Sequence, residues 1–194
     1  MRDLVYYVAV SIDGCIADAN GGYDAFLVEG DHNAVIFGEY ADALPGHVQR
    51  AVGIQSANTT FDTVIMGWNT LIPALDAGIT SPYPHLRQVV ASRREREVDP
   101  AVTLTGDPVA TVRSLKQEDG ADIWLCGGGE LAGALLPEID RLVLKRHPVA
   151  LGSGIRLFGE AAPAEYPFTR TRVREFASGV AIEEYVRNPA TSRA

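Results

Sequence analysis

Cysteine is scarce in this 194-residue chain: Cys15 and Cys126 stand far apart and in no C-x-x-C arrangement. That excludes a disulfide framework and a thiolate zinc site. The four histidines, His32, His47, His85 and His147, are scattered singly, so no metal-ligand spacing is present and no metal is expected. Cations are outnumbered, with 17 Lys and Arg against 25 Asp and Glu, a net charge of −8 and a pI near 5.0. General nucleic-acid binding needs a broad basic footprint and is excluded. A pocket for one phosphate group is not, because it needs only about two or three local cations. No apolar run approaches the roughly 20 residues that cross a bilayer, so no membrane partner is expected. The opening Met1-Arg2-Asp3-Leu4 leads into an apolar run of only about eight residues, without the small-residue cleavage site of a signal peptide. The expected location is therefore cytoplasmic. There is no long linker and no internal repeat. With 46% hydrophobic and 22% charged residues, the composition is that of a globular protein long enough to bury one sizeable core. We expect one domain over residues 1–188 and a disordered tail at 189–194.

What is present alternates between two periods. Leu4 to Ile12, Thr63 to Met66, Arg87 to Ala91, Val102 to Leu104, Ile123 to Cys126 and Arg141 to Arg146 read as short buried strands. Between them lie helical stretches near Gly46 to Ile54, Asn69 to Asp76 and Glu130 to Leu136. A further helix is opened by Asp107-Pro108, with Val109, Val112 and Leu115 as its apolar stripe. Phe168 to Phe176 and Val180 to Val186 flank Ser178-Gly179 as a hairpin. This pattern predicts an α/β fold: a central, mainly parallel mixed sheet flanked by helices, with an antiparallel C-terminal hairpin. Residues 20–60 are the least readable.

Four segments at strand ends carry candidate chemistry. Gly127-Gly128-Gly129-Glu130-Leu131 joins a strand to a helix; glycines let main chain approach a ligand, and a helix start offers free N–H groups to a diphosphate. A plain tight turn explains the same residues equally well. Ser92-Arg93-Arg94 follows the third strand, where a hydroxyl and two guanidinium groups suit a phosphate; a solvated loop, neutralised by Glu95 and Glu97, is the blander reading. In Gly67-Trp68-Asn69-Thr70 the polar residues serve as a helix cap or the amides face a phosphate. In Ser11-Ile12-Asp13-Gly14, Asp13 is a proton donor or, more commonly, a turn residue. Cys126 reads as a small buried hydrophobe.

The order of these motifs, with Val64-Ile65-Met66-Gly67-Trp68-Asn69-Thr70, Val89-Val90-Ala91-Ser92 and Pro148-Val149-Ala150-Leu151-Gly152-Ser153-Gly154-Ile155-Arg156-Leu157-Phe158, resembles the dihydrofolate-reductase superfamily. It is most similar to the branch holding the reductase domain of riboflavin biosynthesis. The resemblance implies a single dihydrofolate-reductase-like domain and NADPH as cofactor. It implies that Gly67, Trp68, Asn69 and Thr70, with Gly127, Gly128, Gly129, Glu130 and Leu131, hold the diphosphate. Ser92, Arg93 and Arg94 would face the 2′-phosphate, and Val8 to Ile16 would flank the nicotinamide. A homodimer is implied too.

The sequence departs from the family at three places. A folate reductase carries an acid on the helix before its second strand, but Ala43 to Phe61 holds no Asp or Glu; Asp42 and Asp62 only flank it. The riboflavin-pathway enzyme has a lysine where Tyr7 stands and a glutamate where Cys126 stands. The expectation is an NADPH-dependent oxidoreductase passing hydride to a small heterocyclic or carbonyl-type substrate, with Asp13 and Tyr7 as candidate proton donors. The alternatives are a dihydrofolate reductase with a displaced acid and a non-catalytic nucleotide-binding module.

Overall fold

The computed structural model describes residues 1–189. The tail expected at 189–194 lies, from residue 190 on, outside the described residues. Among the described residues, eight strands form one sheet: β1 (Leu4–Ser11), β3 (Phe61–Gly67), β4 (Arg87–Ala91), β5 (Val102–Thr105), β6 (Asp122–Gly127), β7 (Arg141–His147), β9 (Phe168–Glu175) and β10 (Ala181–Arg187). Their spatial order is β5-β4-β3-β6-β1-β7-β10-β9. The first six are parallel, and β10 and β9 complete the sheet antiparallel. The predicted fold class is the one observed.

The reason lies in the strand sequences. A parallel sheet covered on both faces needs apolar side chains at successive positions. In β1, Leu4, Val5, Tyr6 and Tyr7 are all buried, as are Thr63 to Met66 in β3. Alternate residues enter two cores. Leu4, Tyr6, Val10, Ile65 and Leu125 pack on one face with Val112, Leu115 and Leu135. Val5, Tyr7, Val64, Trp124, Val143 and Ile182 pack on the other with Tyr40, Leu71 and Leu86. Each such aliphatic side chain contributes roughly 2 kcal/mol by leaving water. Edge strand β9 is mostly exposed and bears Arg170, Arg172 and Arg174, charges that discourage pairing with another edge.

The helices are α1 (Asn33–Glu39), α2 (Gly46–Val52), α3 (Trp68–Asp76), α4 (Pro108–Lys116) and α5 (Gly129–Ala134). As expected, Asp107 caps α4, its carboxylate accepting from the Ala110 amide at 2.9 Å. Two short strands escaped the sequence reading. β2 (Cys15–Ala17) and β8 (Ile155–Arg156) pair with each other apart from the main sheet; at three and two residues they are too short to show a period. No helix among the described residues is long and apolar enough to cross a membrane.

Candidate active site

Because β3 and β6 are parallel neighbours, their carboxyl ends bring two glycine segments together. A Cβ built on Gly67 would stand 3.7 Å from both the Gly127 carbonyl oxygen and the Gly128 nitrogen. At Gly127, where φ is +134°, a Cβ would meet nothing, and at Gly128 it would lie 3.5 Å from Thr70 Oγ1. The Gly127–Gly128 peptide is cis. Helices α3 and α5 start here, each with a glycine as N-cap and neither with a side-chain cap. The first-turn amides of Trp68, Asn69 and Thr70, and of Gly129, Glu130 and Leu131, therefore lack the internal acceptor that Asp107 supplies to α4. Two sets of free donors at adjoining strand ends suit a diphosphate.

Gly129 has a different task. A Cβ there would lie 2.2 Å from the Arg156 carbonyl oxygen and 3.0 Å from the Gly159 nitrogen. The third glycine lets the β8 segment pass against α5. Gly154 serves the same end, since its Cβ would lie 2.2 Å from the Ala17 carbonyl oxygen.

The basic segment after β4 reaches both helix starts. Arg93 Nη2 is 3.2 Å from Glu130 Oε2 in an exposed pair, and the Arg96 guanidinium lies 4.6 Å from the centre of the Trp68 ring. Ser92 Oγ donates to the Arg94 carbonyl at 2.7 Å and accepts from its amide at 3.2 Å, folding the segment back on itself. Arg94 is exposed. The fold thus gathers Gly67–Thr70, Ser92–Arg93 and Gly127–Leu131 into one surface. An exposed pair such as Arg93–Glu130 is worth at most about 1 kcal/mol, so Arg93 can exchange Glu130 for a phosphate.

Both proton-donor candidates are committed elsewhere. Asp13 accepts from Ser11 Oγ and from the amides of Leu151, at 3.2 Å, and Gly152, at 2.7 Å. The Ser11 hydroxyl and then these amides lower its pKa to about 2, so it is ionised at neutral pH and has no proton to give. It is a turn residue that ties the end of β1 to the 149–157 segment. The Ile12 amide helps by donating to the Val149 carbonyl, and the Leu157 amide by donating to that of Gly14. Tyr7 is stacked on Tyr40 with ring centres 4.5 Å apart. Its hydroxyl is enclosed and without a partner, and burial raises its pKa further above the ordinary value. Neither position nor acidity lets it protonate a substrate.

The polar groups at this end of the sheet come from residues that sequence reasoning passed over. Lys145 on β7 holds its ammonium 4.1 Å from the centre of the Tyr7 ring. Burial pulls its pKa down to about 8, against a weaker opposing pull from Cys126. Cys126 sits against Tyr83, and burial raises its thiol to about 11. It is the inert hydrophobe expected. His147 is buried, and its Nδ1 accepts from the Leu27 amide at 3.1 Å. Burial first, then the charges of Lys145 and His32, hold it down to about 4. The available signal was a lysine closing an apolar run, Leu142-Val143-Leu144-Lys145.

The chain matches the family described as the RibD C-terminal domain over residues 2–182. It belongs to that family. Two relatives from Bacillus subtilis (strain 168) are uncharacterized proteins. This RibD C-terminal domain is 33% identical to YwjB over 166 residues, covering 82% of this chain and 84% of YwjB. It is 28% identical to YyaP over 187 residues, 92% of each. Among solved structures, a putative riboflavin biosynthesis protein from Shewanella sp. PV-4 superposes with a TM-score of 0.70 at 23% identity, over 97% of this chain and all of that one. The Thermotoga maritima diaminohydroxyphosphoribosylaminopyrimidine deaminase/5-amino-6-(5-phosphoribosylamino)uracil reductase gives 0.67 at 16% identity, over 96% of this chain and 57% of that one. Enterococcus faecalis dihydrofolate reductase, solved with NADP(H), gives 0.62 at 16% identity, over 96% and 97%. The superfamily resemblance is thereby confirmed as one of fold.

Within this RibD C-terminal domain neither flanking carboxylate replaces the folate acid. Asp42 is buried and clamps the loop ahead of β3, accepting from the amides of Asn58, Thr60 and Phe61 at 2.8–3.0 Å and from Ser56 Oγ. Burial alone would raise its pKa, but these bonds outweigh it and the carboxyl is held low. Asp62 pairs with Arg2 near the start of β3, the opposite end of that strand from Gly67.

Proposed function

We propose that the protein is an NADPH-dependent reductase passing hydride to a small heterocyclic or carbonyl-type acceptor. The observation that carries this reading is the pair of glycine-led, uncapped helices at the ends of β3 and β6. The opening beside Gly67 and Gly127 is one that side chains would fill, and the residues fit a diphosphate there. Arg93, with Ser92 and Arg94 beside it, would take the 2′-phosphate that separates NADPH from NADH. NADPH when bound supplies a hydride from its nicotinamide. The chain's part is to hold it with Ile12 and the end of β1 alongside, and to keep water from the acceptor. Exposed Ile12, Tyr23 and Val28 near the ends of β1 and β2 are apolar surface suited to a flat ring.

Quenching of tryptophan emission by NADPH and by NADH tests the cofactor directly, since Trp68 lies in the proposed site. NADPH is expected to bind more tightly; no binding of either at millimolar concentration rejects the reading. A homodimer belongs to the same proposal and is checked by sedimentation. The commitment of Tyr7 and Asp13 to packing and to a turn favours a second reading, a nucleotide-binding module without turnover. NADPH binding with no oxidation by any acceptor would select it. The same commitments of Asp42 and Asp62 count against a dihydrofolate reductase with a displaced acid.

A further inference from the structure

The chain has two lysines, and the structure treats them oppositely. Lys116 is saturated: its Nζ is 2.6 Å from Asp140 Oδ2 and 2.5 Å from the Glu138 carbonyl oxygen. Lys145 has neither a hydrogen-bond acceptor nor a carboxylate partner among the described residues. Leaving an ammonium half-buried without a carboxylate is costly, and the face of the Tyr7 ring offsets only part of that cost. Its place explains why it is tolerated. Tyr7, Cys126 and Lys145 lie on three adjacent strands, in the order β6-β1-β7, toward their carboxyl ends. Tyr7 and Cys126 pack on the same sheet face, and the ammonium lies over the Tyr7 ring on that face. From β1 the ammonium meets Tyr7, from β6 Cys126 and from its own strand His147. On β10 its register partner is the apolar Ile182. No carboxylate faces it. Unlike the Tyr7 hydroxyl and Arg174 Nε, Nζ is not a sealed, unsatisfied atom, so it remains open to a ligand.

We propose that Lys145 is the catalytic acid of the acceptor site and that the acceptor presents a carbonyl oxygen to it, rather than the amidine edge of a pterin, which needs a carboxylate. The proposal rests on the reductase reading above. The acceptor carbon gains the hydride supplied by the dihydronicotinamide, which is thereby oxidised by two electrons. The π pair of the C=O bond moves to oxygen, that oxygen takes a proton from the Lys145 ammonium, and the resulting amine recovers its proton from water. A pKa of about 8 suits this task near neutral pH. Because the protonated form acts, turnover is full below that value and declines as pH rises through it.

Three carbonyl probes test the idea: phenanthrenequinone, para-nitrobenzaldehyde and formyluracil, with dihydrofolate for comparison. The wild-type protein is expected to oxidise NADPH with at least one of the three and not with dihydrofolate. Lys145→Met should lower that turnover at least about a hundredfold, the usual scale for a lost general acid. NADPH affinity should stay within about twofold and the melting temperature within about 3 °C, since a cation without a carboxylate is removed together with its contact to the Tyr7 ring. Lys145→Arg should leave KM near the wild-type value, lower kcat and abolish the decline near pH 8, because a guanidinium holds an oxygen without releasing a proton. Independently of turnover, methylating the amines with an isotope label gives signals only from Lys116, Lys145 and the N-terminus. The signal missing in Lys145→Arg should shift when a carbonyl probe is added. Reduction of no carbonyl probe, wild-type turnover in Lys145→Met, or a Lys145 signal that no probe moves overturns the proposal. Absence of NADPH binding instead rejects the reductase reading, and the methyl signal still decides whether Lys145 meets the carbonyl.

Discussion

At the ends of β3, β4 and β6 the candidate contacts are mostly main-chain amides, exposed by glycines and joined by one arginine. At the ends of β1 and β7 they are side chains, Lys145, Cys126, Tyr83 and His147, drawn from two strands and a loop. The first arrangement suits a group common to many ligands, a diphosphate, and would tolerate little variation because backbone geometry sets it. The second is free to change residue by residue. A fold can therefore keep its cofactor and alter its acceptor, and here the acceptor half offers the ammonium of Lys145 on β7.

The largest effect expected on this comparison is structural. Gly129→Ala puts a methyl group 2.2 Å from the Arg156 carbonyl oxygen and should cost about 3 kcal/mol, read as a fall in denaturant midpoint. It would show that the missing side chain of the third glycine serves packing, whatever its amide donates to. Next comes His147, in the acceptor half. Its folded pKa of about 4 lies below the ordinary 6.5, so its contribution to stability is complete above 6.5 and is lost as pH falls from there to about 4. The melting temperature should decline across that window, above the range where carboxylates protonate, and His147→Phe should flatten it. A wild-type curve that is flat between those limits would remove His147 from the account. Third, Gly67→Ala meets only ordinary contacts, the nearest at 3.7 Å. Stability should change by less than about 0.5 kcal/mol, while the dissociation constant for NADPH rises about tenfold, near 1.4 kcal/mol. Together with Gly129→Ala it separates ligand glycine from packing glycine. The smallest effect is Arg93→Ala, which breaks only an exposed pair. It should leave stability unchanged and reduce the preference for NADPH over NADH roughly fivefold, about 1 kcal/mol of a charge-assisted contact.

Much of this was legible along the chain. Six parallel strands were readable because burial on both faces forces continuous apolar runs, and the α4 start because Asp107-Pro108 is a local cap. The gathering of Gly67, Arg93 and Gly127 was readable from motif order. The turn role of Asp13 was one of two readings open to the sequence, its long-range ties were not legible, and the functions of Tyr7 and Gly129 were not legible at all. Each depends on a partner far away in sequence: Gly152 for Asp13, Tyr40 for Tyr7 and Arg156 for Gly129.

By itself, then, the sequence determined the sheet, its antiparallel edge and the glycine cradle, all of which follow from short-range rules of periodicity, capping and backbone freedom. Only the tertiary structure decided which polar group faces the acceptor. A proton donor is defined by what surrounds it, and the surroundings of Lys145 come from β1, β6 and β10, strands separated from it along the chain and joined to it only when the sheet closes.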